Sequence, residues 1–167
     1  MHSNDFNITL IGMPFSGKTT IAKEYCKKFN FNFIDLDTVI EEKFNMKLSD
    51  IVLKFGNEEF KKIEENTMLE MSGKLNVFST GGSVIYSEIG MKHLQKISKI
   101  IFLNVDVNEL KNRMNNTKME DRAIVFENGQ TFDTLFIERY PLYNKFATKV
   151  IDCNKLSIKE IVDKINI

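Results

Sequence analysis

Residues Gly12-Met13-Pro14-Phe15-Ser16-Gly17-Lys18-Thr19 fit the pattern G-x-x-x-x-G-K-[ST]. The pattern is built to hold a polyphosphate. Glycines let the backbone curl, so that successive N–H groups turn inward toward anionic oxygens. A helix opening near Lys18 adds its positive end to the same place. Lys18 then reaches the β- and γ-phosphates, and the Thr19 hydroxyl holds Mg²⁺. A random chain of this length carries such a match at about the half-per-cent level. Here the match also follows an apolar run and opens a stretch of helical spacing, as the chemistry requires.

Two carboxylates, Asp35 and Asp37, follow in the run Ile34-Asp35-Leu36-Asp37. Alternation along a strand puts both on one side. One could hold a water of Mg²⁺, and the other could orient or deprotonate a hydroxyl acceptor. Asp37 could instead simply cap the helix that starts at Thr38. Thr80-Gly81-Gly82-Ser83 offers bare backbone that a small ligand can approach closely, or a turn that merely needs glycine. The chain has three arginines, Arg113, Arg122 and Arg139, against twenty lysines. Arginine grips carboxylate or phosphate with a planar fork that lysine lacks. Surface ion pairs, such as Arg122 with Asp121 or Arg139 with the surroundings of Glu138, are the alternative for each.

These residues need elements to hold them. Short β-rich runs occur at 6–11, 32–36, 76–80, 99–105 and 149–152, with helical spacing at 19–29, 38–73 and 157–165. Strands alternating with helices predict an α/β fold with a five-stranded parallel sheet covered on both faces. Ligands in such folds bind beyond the carboxyl ends of the strands, where these motifs fall.

Composition sets the outer bounds. The 167 residues suit one domain, and 43% apolar with 28% charged residues suits a globular chain. Lys plus Arg is 23 and Asp plus Glu is 23, which speaks against a nucleic-acid coat or a polybasic membrane binder. Cys26 and Cys153 form no framework and the two histidines stand apart, so neither disulfides nor zinc are expected. No apolar run approaches the roughly 18 residues of a membrane span, and the start lacks a signal-peptide pattern. A cytoplasmic protein is expected.

With these residues in view, the chain resembles the shikimate kinase family of the nucleoside-monophosphate-kinase-like P-loop fold. The matching stretches are GMPFSGKTT (12–20), FIDLDTVIEE (33–42), LSDIVLKFGNEEFKKIEE (48–65), FSTGGSV (78–84), Arg122 and ERYPLYNKFA (138–147). The resemblance implies a three-layer single domain over 1–167, with a substrate-binding helical region near 38–66 and a lid near 112–128. It implies transfer of the ATP γ-phosphoryl group to the 3-hydroxyl of shikimate, with ATP and Mg²⁺ as cofactors. It also implies a monomer with small-molecule partners, and no nucleic acid or membrane. Residues 12–20, that is Gly12 to Thr19 with Thr20, would bind nucleotide together with Arg113, Arg122 and Lys155, the last near adenine. Lys18, Asp37 and Arg122 would carry catalysis, and Thr19 and Asp35 the metal. Asp37, Lys61, Gly81, Gly82 and Arg139 would hold the substrate.

The chain departs from the family pattern in four places. Lys61 stands where the family has arginine, and Ser83 where it has a third glycine. Phe15 replaces a loop glycine, and Arg122-Ala123-Ile124-Val125 replaces Arg-Pro-Leu-Leu. A kinase of another hydroxy-acid, or a nucleotide-binding protein with little catalysis, are the competing readings.

Overall fold

The β-rich runs become five parallel strands in the computed structural model, which describes residues 6–116, 124, 126 and 129–165. They are β1 (Asn7–Ile11), β2 (Asn32–Asp35), β3 (Asn76–Ser79), β4 (Ser98–Asn104) and β5 (Lys149–Asp152), in the order β2-β3-β1-β4-β5. Strand β1 lies at the centre, with Thr9 level with Phe78 on one side and Ile100 on the other. A strand covered on both faces has no use for alternation, and all five residues of β1 are buried. Its one amide side chain is fully used. Asn7 Nδ2 donates to the carbonyls of Gly73 and Ile97, and Asn7 Oδ1 accepts from Asn76 N–H.

The helices are α1 (Lys18–Phe29), α2 (Leu36–Phe44), α3 (Leu48–Glu70), α4 (Glu88–Ile97), α5 (Val107–Asn115), α6 (Phe132–Phe146) and α7 (Ile158–Ile165). The chain steps one way across the sheet from β1 to β2 and the other way from β3 to β5. Right-handed crossovers therefore put α1 on one face and the later crossover helices on the other. Helix α7 packs back against α1, and α3 against α4.

The helical stretch at 38–73 is not continuous. It starts two residues earlier than its spacing suggests, because Asp35 caps α2 and so draws Leu36 and Asp37 into the helix. It ends first at Asn45, whose left-handed backbone (φ 49) returns its N–H to the carbonyls of Glu41 and Glu42. It breaks again at Gly56 (φ 79, ψ 166), inside α3. The pieces enclose a small second core of Ile40, Leu48, Ile51 and Phe60, separate from the main one under the sheet. This side lobe stands over the end of β2 and faces the glycine pair after β3.

Candidate active site

The loop between β1 and α1 has the shape its glycines allow. Gly12 (φ 150) has left-handed backbone, and a Cβ there would lie 2.9 Å from the Leu103 carbonyl oxygen. The Lys18 side chain is buried in the loop, and its Nζ donates to the carbonyls of Gly12 and Met13 (both 2.8 Å) and to Ser16 Oγ (3.3 Å). Phe15 adopts φ 67, the conformation that a glycine would take without cost. The strain is of order 1–2 kcal/mol. Burial of the ring against Phe132, centroids 6.4 Å apart, offsets it.

Thr19 and Asp35 come together as expected. Thr19 Oγ1 donates to Asp35 Oδ2 (3.1 Å) and lies 3.3 Å from Ser79 Oγ. The other oxygen, Asp35 Oδ1, accepts the N–H groups of Asp37 (3.1 Å) and Thr38 (3.4 Å). Two sequence expectations change here. The capping residue is Asp35, not Asp37, and the two acids do not share one strand side, because Asp37 lies in the first turn of α2. Helical spacing turns Asp37 into a cleft that also has Pro14, Lys18, Thr19, Glu64, Gly81 and Gly82 in its wall. The hydroxyl and carboxylate at Thr19 and Asp35 are hard oxygen donors, which suits a hydrated divalent cation. Among the described residues there is no group of three His, Cys, Asp or Glu that could hold a metal alone, so such an ion would draw its other ligands from phosphate and water.

The glycine pair after β3 is needed for close approach. A Cβ on Gly81 would lie 2.7 Å from Glu64 Oε1 and 3.1 Å from Asp37 Oδ1. A Cβ on Gly82 would lie 2.8 Å from Arg139 Nη1 and 3.0 Å from Pro14 Cδ. Arg139 is buried (1% exposed) behind this backbone, which removes the surface ion-pair alternative for it. Its Nε donates to Tyr86 Oη (3.2 Å). Tyr143, also buried, donates to the Gly82 carbonyl (2.7 Å). Lys61 Nζ lies 2.9 Å from Glu58 Oε1, one turn back on α3, and 5.3 Å from the centre of the Tyr86 ring.

Glu64 was not singled out by motif. It is buried (3% exposed), and Ser83 Oγ lies 2.8 and 2.6 Å from its two carboxylate oxygens. Burial pushes its carboxyl up to about 8, against the pull of the Ser83 hydrogen bond and with help from the neighbouring Asp37 charge. The signal was present: Phe60, Glu64, Thr67 and Met68 share the buried face of α3, and an acid on an apolar face asks for a reason. Ser83, which departs from the family glycine, supplies a hydrogen bond to that acid.

A second cleft lies across the loop, lined by Phe15, Ser16, Gly17, Thr20, Arg113 and Cys153 among others. Arg113 Nη1 donates to the Phe15 carbonyl (3.3 Å), and its Nε to Glu109. Cys153 and Leu156 contribute to this wall, while Lys155 between them (φ 60) does not. Burial pushes both thiols, Cys26 and Cys153, up to about 11, so neither is a nucleophile at neutral pH. Arg122 lies outside the described residues, as does most of the stretch 117–128; helix α5 covers the beginning of the expected lid as far as Asn115.

Known proteins resemble this chain in sequence and fold. The family model for shikimate kinase matches residues 14–166. A shikimate kinase of Thermodesulfovibrio yellowstonii is 36% identical over 160 residues, 95% of this chain and 92% of that one. A shikimate kinase of Staphylococcus aureus is 32% identical over 164 residues, 96% and 92% of the two chains. Among solved structures, that of shikimate kinase from Acinetobacter baumannii in complex with shikimate superposes with a TM-score of 0.88 at 26% identity, covering 98% of this chain and 91% of that one.

Proposed function

The chain belongs to the shikimate kinase family, and from that premise we propose how its own residues transfer the γ-phosphoryl group of ATP to the 3-hydroxyl of shikimate. The observation that carries the assignment is one cleft in which Lys18, Asp37 and the Gly81-Gly82 backbone face each other, with Arg139 behind the glycines. An ammonium and a carboxylate in the wall of one cleft, with a guanidinium behind its glycines, support a small hydroxy-acid as the acceptor.

Nucleotide phosphates lie in the curl of residues 12–19, with the base in the second cleft beside Thr20 and Arg113. Lys18 exchanges its carbonyl partners for β- and γ-phosphate oxygens, which are stronger acceptors. Thr19 and Asp35 would hold Mg²⁺, which when bound would supply charge neutralisation for the phosphates. Shikimate enters the other cleft with its carboxylate toward Arg139 and Lys61 and its hydroxyls toward Asp37. Asp37 orients the 3-hydroxyl and accepts its proton as the new O–P bond forms. The bond from phosphorus to the β-γ bridging oxygen breaks, and ADP leaves. Arg122 stabilises charge on the transferring group. The catalysis is one of position and fixed charge. The side lobe at 38–66 serves as the substrate-binding region, and 112–128 serves as the lid. Two buried free cysteines suit a reducing compartment, and with the family likeness they favour a cytoplasmic monomer. None of the described helices is long and apolar enough to cross a membrane.

The test is ADP release by the purified protein with Mg-ATP, with and without shikimate. Strong stimulation by shikimate is expected, and Lys18→Ala should lose it by at least about a hundredfold while keeping the wild-type melting temperature. Stimulation by another hydroxy-acid and none by shikimate would move the assignment to that acid. Turnover retained by Lys18→Ala would refute the role given to the phosphate loop.

A further inference from the structure

Both cations assigned to the substrate carboxylate meet at one residue that no motif marked. Tyr86 ends a short turn, Val84–Tyr86, that follows directly on Gly81-Gly82-Ser83. Lys61 Nζ and Arg139 Cζ each lie 5.3 Å from the centre of its ring, within the range of cation–π attraction. Its hydroxyl accepts from Arg139 Nε (3.2 Å) and donates to Glu138 Oε1 (2.5 Å), and the other Glu138 oxygen accepts from Gln130 Nε2 (2.6 Å). The ring thus faces one cation from α3 and one from α6, and the hydroxyl is itself oriented by a second carboxylate.

We propose that Tyr86 is the positioning residue of the carboxylate grip: its ring and hydroxyl hold Lys61 and Arg139 in the geometry that recognises an anionic substrate. The inference rests on the reading of the cleft given above. Its physical reason lies in the lysine. A lysine has three rotatable donors on a flexible four-carbon stem, with no planar fork to set its direction. On one side Lys61 is held by Glu58, one helical turn back. The half-buried Tyr86 ring gives the ammonium a second fixed point on the side of the glycine pair. Arg139 has the opposite need. Its guanidinium is buried, and a buried donor without an acceptor is costly, so the Tyr86 hydroxyl satisfies Nε and fixes that edge of the group. One aromatic residue thereby couples an exchanged cation to the retained one.

The test is steady-state kinetics of Tyr86→Leu with shikimate and with its uncharged methyl ester. Tyr86→Leu should raise the KM for shikimate about tenfold, with kcat within about twofold and the KM for ATP unchanged. The methyl ester, which offers no anion, should show no such rise. Tyr86→Phe keeps the ring and should recover part of the loss. In a Lys61→Met background the effect of Tyr86→Leu should shrink, since one of the two cations it serves is gone. Equal loss for acid and ester, or additive effects of the two substitutions, would overturn the role and leave Tyr86 a packing residue. If Tyr86→Leu does not fold, the same comparison is read from Tyr86→Phe, where an unchanged KM for shikimate overturns it. A wild-type protein that shikimate does not stimulate overturns the reading of the cleft and this inference with it; indifferent variants of an active wild type overturn this inference alone.

Discussion

Glu64 shows how much of this site is decided by a single environment. A carboxyl group at the surface titrates near its ordinary 4.5, whereas burial beside Asp37 pushes Glu64 to about 8. Below about pH 4.5 the group is protonated in the folded and unfolded chain alike. Between there and pH 8 the folded protein keeps a proton that the unfolded chain has released, so stability falls as pH rises through that window. Above pH 8 both forms are ionised and the full cost is present. Glu64→Gln should remove this slope. Urea titrations of the two proteins at about pH 5 and about pH 9 should show the wild type losing more stability than the variant, by at least ~1.4 kcal/mol, the equivalent of one pKa unit. Parallel losses would mean that Glu64 keeps an ordinary titration in the fold. The Ser83 hydroxyl works against the shift but does not cancel it, because one neutral donor cannot replace the water that a carboxylate loses on burial.

At the scale of elements, the informative feature is the break in α3. Gly56 has backbone angles that a residue with a Cβ adopts only under strain, although nothing lies within 4 Å of where that Cβ would go. Gly56→Ala therefore tests the backbone alone. It should destabilise the protein by about 1–2 kcal/mol, against the usual gain from alanine in a helix. A neutral or stabilising result in chemical denaturation would mean that the two pieces of α3 can fuse without penalty. The break was not legible in the periodicity of 38–73, which reads as helix throughout. A helical pattern reports which residues face a core, and here it faces two cores in turn, the small one around Ile40, Ile51 and Phe60 and the main one around Met68. The strands were more legible. Each is a short apolar run closed by turn residues, and four of the five boundaries shift by only one residue at either end, β5 not at all.

Over the whole molecule, the two cores imply two levels of stability. Strands β1 and β4 sit in the middle of the sheet, with Ile8, Leu10, Ile100 and Ile101 wholly out of water. The side lobe rests on four buried apolar residues. Amides of β1 should exchange with solvent only on global unfolding, and those of α2 through cheaper local opening. Ile51→Ala, which opens a cavity in the smaller core, should speed exchange in α2 by ~30-fold or more while changing β1 far less. Equal acceleration in both would show that the lobe and the sheet unfold as one unit. A lobe that opens separately suits a region that must admit and release a substrate.

The sequence by itself determined the alternation of strands and helices, the phosphate loop and the family likeness, because periodicity and local motif chemistry act over a few residues. Through that likeness it also assigned Asp35 to the metal and Asp37, Gly82 and Arg139 to the substrate. Only the tertiary structure decided how these residues sit relative to one another. A cap at Asp35 turns Asp37 from a strand side into a cleft, since a helix rotates successive side chains by about 100° where a strand alternates them. The contacts of Glu64 with Ser83 and of Tyr86 with Arg139 were out of reach for a different physical reason. Glu64 and Ser83 stand 19 residues apart in the chain, and Tyr86 and Arg139 stand 53 apart. Burial and contact across such separations are properties of packing, which no local pattern encodes.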